Sequence, residues 1–166
     1  AARERAVRAG AALGDLVAYA SAHTHSSLEK GARVAGLAPG QVRVVDADAD
    51  FAMVPAALAD AIAEDRAAGR VPFFCCATVG TTSSLAVDPV AALAEVVDGQ
   101  GVWLHVDGAM AGSAAVCPEL RWVNEGLDRA DSYAFNPHKW LFTNFDCTCF
   151  WVADRSALLD ALSILP

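Results

Sequence analysis

The stretch VPFFCCATVGTTSSLAVDPVAALAEVVDGQGVWLHVDG, residues 71–108, decides the fold. It holds two apolar runs, Val71–Thr78 and Val102–Val106, neither of which alternates polar with apolar side chains. Such runs read as strands buried on both faces, the pattern of a parallel sheet. Between them, Gly80–Ser84 is a polar loop, and Asp88-Pro89 predicts a helix start with Asp88 as cap and Pro89 as first residue. Gly99 and Gly101 end that helix, and the second strand stops at Asp107. Strand, helix and strand in this order form a crossover unit.

The pattern continues outward. Upstream, Leu16–Ala20 is strand-like, a helix from about Ser26 to Leu37 stops before Pro39-Gly40, and Val42–Val45 reads as a strand. Pro55 opens a helix carrying Leu58 and Ile62 that Gly69 terminates. Downstream, Ser132–Phe135 is a short strand followed by a loop, Asn136-Pro137-His138-Lys139. Cys147–Val152 is strand-like, and Asp154 caps a last helix with Leu158, Leu159 and Leu162. Alternation of this kind predicts an α/β fold, a mostly parallel sheet with helices on both faces. Ligands of such sheets sit beyond the carboxyl ends of the strands, so the polar loops there are where chemistry is sought.

Composition narrows the function classes. Hydrophobic residues make up 55% of the 166 positions and the formal charge is −8. A chain this apolar builds a core, and an acidic surface disfavours nucleic acid and anionic membranes. No apolar run reaches the ~18 residues of a membrane span. Cys75, Cys76, Cys117, Cys147 and Cys149 are odd in number and lie mostly in apolar runs, which predicts reduced core thiols and a cytoplasmic protein. Cys147 and Cys149 are spaced too closely for the usual zinc pair, so no metal is expected. Neither familiar glycine-rich phosphate loop nor Gly-x-Ser-x-Gly occurs. The opening AARERAVRAG reads as the middle of a helix and ALSILP ends without a cap, which predicts a piece of a longer chain.

Three residues stand out. Asp107 ends a buried strand; there an acid caps a helix, pairs with an arginine, or faces a cationic ligand. Lys139 lies in FNPHKW between Phe135 and Trp140. Most lysines are solvated, but one held among aromatic rings can act as an amine nucleophile toward an aldehyde. His25 precedes a helix beside Ser26 and Ser27; it is either a helix-entry residue or an imidazole free to lie on an aromatic ring.

Taken together, AHTHSSLEKG, ATVGTTSSLAVDP, WLHVDGAMAGSA, CPELRWVNEGLDRADSYAFNPHKWL and NFDC resemble the pyridoxal-phosphate-dependent decarboxylases of aromatic amino acids, over about residues 20–152. The resemblance implies the large domain of the aspartate-aminotransferase-like fold, with residues 1–166 forming part of it. A phosphate-binding segment would precede the chain; a mobile loop and a small domain would follow. It implies pyridoxal 5'-phosphate as cofactor and a homodimer in the full-length protein. The implied reaction is loss of carbon dioxide from an L-amino acid, with glutamate-type decarboxylation, aldehyde formation or a non-catalytic remnant as alternatives. Residue by residue, Lys139 matches the Schiff-base lysine and Asp107 the partner of the pyridine nitrogen. His25 matches the histidine stacked on the ring, with His23 two residues away as the competing register, and Ala109 packs on the opposite ring face. Thr82 matches a cofactor contact, and Asn136 and His138 match residues near the phosphate. Met110 stands where relatives often carry an aromatic residue, which leaves the substrate side chain open.

Overall fold

A strand that sends alternate side chains to opposite faces needs a partner layer on each. The fourth strand, Trp103–Asp107, shows both layers: Leu104 and Val106 enter a large apolar cluster, whereas His105 and Asp107 line a groove on the other face. The structure, a computed structural model, describes residues 1–163. The expectation that ALSILP ends uncapped falls largely on residues 164–166, outside the described ones.

In chain order the elements are α1 (Ala2–Arg8), β1 (Leu16–Ser21), α2 (Ser27–Val34), β2 (Val42–Val45), α3 (Pro55–Ala67), β3 (Val71–Thr78), α4 (Val90–Val97) and β4 (Trp103–Asp107). Three 3-10 turns between Ala111 and Arg129 lead to β5 (Ser132–Phe135), α5 (Pro137–Trp140), β6 (Cys149–Val152) and α6 (Arg155–Leu162). The six strands form one sheet in the order β2-β1-β3-β4-β5-β6. The first five are parallel, and β6 is antiparallel to β5 because the chain turns back at the end where β5 finishes. Strand order reverses between β1 and β3, the position at which open α/β sheets form a ligand crevice.

Helices α3 and α4 cover one face, where Tyr19, Leu58, Ile62, Leu93, Leu104 and Val106 are buried together. Each large side chain buried in this way contributes about 1.5–3 kcal/mol. The other face carries a smaller cluster, Leu16, Ala18, Leu37 and Phe73, under alanines of α1 and α2. A bulge in β3 serves both: Val17 pairs with Pro72 but Ala18 with Phe74, so Phe73 is left over. Phe73 and Phe74 therefore both join the smaller cluster, while Cys75 and Ala77 face the larger one.

Two carboxylates are buried for structural reasons. Asp65 accepts the Tyr19 hydroxyl at 2.8 Å and pairs with Arg43 at 3.2 Å and Arg70 at 3.4 Å. Burial, then the Asp65 hydrogen bond, pushes the Tyr19 phenol far up. Asp88 corrects the sequence expectation: it does not cap α4, which starts at Val90 with Pro89 in the cap position. Its carboxylate instead accepts the backbone N–H groups of Met53 and Thr78, both at 2.7 Å, and so pins the carboxyl end of β3. Burial pushes Asp88 above its ordinary range against the pull of those two hydrogen bonds.

Other expectations shift in smaller ways. Residues 137–140 form a short helix rather than a loop, and α2 ends at Val34, three residues early. All five cysteines are free, but only Cys75 and Cys76 are buried; Cys117, Cys147 and Cys149 are half-buried. Among the described residues no helix is long and apolar enough to cross a membrane.

Candidate active site

The carboxyl ends of β1, β3, β4 and β5 open on one cavity of about 410 Å³, within the roughly 300–1,000 Å³ usual for small-molecule sites. Its walls bring together His25, Thr82, Asp107, Ala109, Asn136, His138 and Lys139. They come from four separate loops, so the fold, not local sequence, assembles them.

Each side chain is placed by its element. Asp107 is the last residue of β4 and half-buried. One carboxylate oxygen, Oδ1, accepts the Ala109 N–H at 2.9 Å, a local turn like the capping role considered for it. Among the described residues no arginine or lysine pairs with it, which removes the salt-bridge reading. Gly108 follows because a Cβ there would lie 2.6 Å from the Tyr133 ring. Gly80, at φ +80°, turns the loop after β3 where a Cβ would meet that of Ala111 at 2.4 Å. That turn leads into the Thr81–Ser84 loop, in which Thr82 is exposed beside the cavity.

His25 Nδ1 accepts the Ser27 N–H at 3.2 Å and lies 2.9 Å from the Ser27 hydroxyl. These contacts fix the ring and leave Nε2 free for the cavity. His23 does not line the cavity; its ring packs against Phe51 at 4.8 Å. His138 Nδ1 lies 2.8 Å from the Cys147 carbonyl oxygen and 3.1 Å from the Cys147 backbone nitrogen, and the Phe145 ring packs against it with centroids 4.9 Å apart.

Lys139 differs from expectation. It is exposed rather than buried among the rings of Phe135 and Trp140. The reason is geometric: α5 has a single turn, buries Pro137, and leaves Lys139 and Trp140 on its outer side. Among the described residues its ammonium has neither a carboxylate partner nor a hydrogen-bonded one. Sequence reading missed Thr78, Phe145 and Asp146, which also line the cavity. The NFDC segment that includes the last two was noted only as a match, and nothing in its composition shows that it folds back over His138.

The donor set is that of a site for a flat, charged aldehyde: an amine without a partner, a carboxylate with one oxygen free, two imidazoles, an amide and a hydroxyl. The whole chain, residues 1–166, matches the model of the pyridoxal-dependent decarboxylase conserved domain. It is 50% identical over 153 residues to tyrosine decarboxylase 2 of Narcissus pseudonarcissus, covering 91% of this chain and 31% of that protein. It is 48% identical over 170 residues to phenylacetaldehyde synthase of Arabidopsis thaliana, covering 100% of this chain and 35% of that one. A crystal structure of Oryza sativa TDC with PLP and tryptamine superposes with a TM-score of 0.96 at 45% identity, over 99% of this chain and 35% of that one. The chain thus spans about a third of the length of these relatives, and over that third it belongs to the pyridoxal-dependent decarboxylase family.

Proposed function

We propose that this chain forms the cofactor-holding part of an enzyme that removes the α-carboxylate of an aromatic L-amino acid, with pyridoxal 5'-phosphate as cofactor. The observation that carries the reading is the meeting of Lys139, Asp107 and His25 at one cavity. Relatives named for tyrosine and tryptophan decarboxylation supply the reaction and substrate class.

The chemistry lost carbon dioxide demands is a place for the electron pair it leaves behind, and pyridoxal phosphate supplies an electron-accepting ring when bound. The protein residues do the rest. Lys139 offers the amine that anchors the aldehyde group. Its exposure in this chain leaves it accessible to that group. Asp107, with Oδ1 held by Ala109, has its other oxygen free to keep a proton on the pyridine nitrogen by a charge-assisted hydrogen bond. His25 offers a ring whose orientation Ser27 fixes, suited to lie on the cofactor, with Ala109 small enough to admit the other ring face. Thr82, Asn136 and His138 offer polar side chains for the phosphate. Met110 lines the same cavity as a flexible apolar wall toward the substrate side chain.

The complete protein would be a homodimer. Trp140 and Phe142, close to Lys139 in the chain, and Phe145 of the cavity wall stand exposed, which suits burial against further protein. Five free thiols suit a reducing, cytoplasmic setting.

The test is an assay of the complete protein with dopa, tryptophan, tyrosine, phenylalanine and glutamate, following amine, aldehyde and carbon dioxide. Amine and carbon dioxide from an aromatic substrate support the proposal. Turnover of glutamate alone overturns the aromatic assignment. An aldehyde in place of the amine moves the protein to the reaction named for the Arabidopsis relative.

A further inference from the structure

On the face that carries the site, β3, β4 and β5 set their side chains in rows. The row at the carboxyl ends is Thr78, Asp107 and Ala134; the row beneath it is Cys76, His105 and Ser132. Ser132 is buried and ties two neighbours together. Trp103 Nε1 donates to its hydroxyl oxygen at 2.8 Å, and His105 Nδ1 lies 2.8 Å from the same oxygen. An indole N–H only donates, so it occupies one lone pair of Ser132; the hydroxyl keeps a second lone pair and a hydrogen that can go to Nδ1. When that hydrogen goes to Nδ1, the neutral imidazole carries its own hydrogen on Nε2.

Nε2 has no protein partner among the described residues, and the ring lines a groove of about 420 Å³ that also reaches Cys76 and Asp107. Asp107 has the complementary need, an acceptor oxygen left over once Ala109 has taken Oδ1. Same-face neighbours along a strand are roughly 6.5–7 Å apart, a gap that an imidazole and a carboxylate close by direct approach or with one water between them. We propose that His105 is a positioning residue for Asp107: Ser132 fixes its tautomer, and its Nε2–H holds the free carboxylate oxygen, directly or through one water, so that Asp107 stays aimed into the cavity.

This rests on the reading of Asp107 as partner of the cofactor nitrogen. It adds a device beneath that residue which the site itself does not reveal. The surroundings of His105 suit the task. Phe74 stacks on it at 6.0 Å and Phe150 lies at 6.3 Å, so the ring has little freedom. The charged or titratable groups facing it are Asp107 on its own strand, Cys76 on β3 and Arg3 from α1 across the groove. Arg5 lies one layer further, over the Trp103 ring at 4.9 Å. Burial pushes the imidazole below its ordinary range while Asp107 pulls it up, so the two groups sense each other.

The test uses the full chain labelled at the histidine ring carbons and nitrogens, titrated by NMR without cofactor. In the wild type, His105 should report the Nε2–H tautomer, and Ser132→Ala should give a mixture. Asp107→Asn should lower the His105 titration midpoint. A midpoint that does not move, or a tautomer indifferent to Ser132, overturns the proposal. Cofactor affinity gives a second arm: His105→Phe should weaken binding about tenfold, the loss of one charge-assisted hydrogen bond, and His105→Gln should recover most of it. Equal weakening by both variants, in step with their thermal midpoints, means a merely structural role and overturns it too. If Asp107→Asn binds cofactor as tightly as wild type, the reading of the site fails, whereas the NMR titration judges the positioning role separately.

Discussion

The two faces of the sheet do different work. Under α3 and α4 the side chains are mostly apolar and buried, and the two buried carboxylates are satisfied, Asp65 by Tyr19, Arg43 and Arg70 and Asp88 by the backbone of Met53 and Thr78. The opposite face holds a small apolar patch at its lower end and then Cys76, His105, Ser132, Thr78 and Asp107 toward the carboxyl ends. One face holds the fold together; the other carries polar groups, of which His105 and Asp107 are half-buried. A strand that alternates by single residues can serve both purposes at once, and β4 does: Leu104 and Val106 for stability, His105 and Asp107 for chemistry.

That division can be broken by experiment. Leu58→Ala, at a side chain with 0% exposure, should cost about 3–4 kcal/mol in chemical denaturation, through lost burial and the cavity left behind. Asp65→Ala should cost about 3 kcal/mol, because it strands the Tyr19 hydroxyl and two arginines around an apolar side chain. Lys139→Ala on the other face should leave the denaturation midpoint within about 0.5 kcal/mol of wild type. The same change should abolish all borohydride-fixed cofactor in the complete protein, measured by mass spectrometry. A large stability loss at Lys139, or none at Leu58, would dissolve the distinction between the faces.

The smallest effect concerns pH. His105 is held below the ordinary imidazole value of 6.5 by burial. A histidine with a depressed folded value favours the folded state while neutral. Its contribution is complete above about 6.5 and is lost as pH falls through the lower folded value. Wild-type stability should therefore drop more steeply than that of His105→Gln on acidification below pH 6.5, read from urea midpoints at stepped pH. Parallel curves would show that the ring is not held neutral by its surroundings.

Much of this was legible in the residues. Val71–Thr78, Val42–Val45 and Ser132–Phe135 run as strands over the predicted bounds, and the first of them, an apolar run between Gly69 and Gly80, is the clearest such signal. Asp154 caps α6 as expected, accepting the Ser156 N–H at 2.8 Å. What escaped depends on contacts between distant segments. Asp88-Pro89 has the local form of a helix start, yet the carboxylate turns to Met53 and Thr78, groups that only the folded sheet brings near. The exposure of Lys139 was hidden because flanking aromatics in sequence do not fix which side of a one-turn helix a lysine occupies. His105 passed unremarked because a single polar residue inside VWLHV looks like an interruption until its register neighbours are known.

The irregularity in β3 has one more consequence. Because Pro72 and Phe74 are the residues that meet successive positions of β1, Phe73 is surplus to the ladder. Deleting it would leave an unbroken two-residue repeat from Val71 to Thr78. Cys75 and Ala77 would still point into the apolar layer, and Thr78 would still stand beside Asp107. The strand thus contains a position where length can change by one without rotating anything downstream of it, whereas the same deletion at Ala77 would turn Thr78 to the wrong side of the sheet.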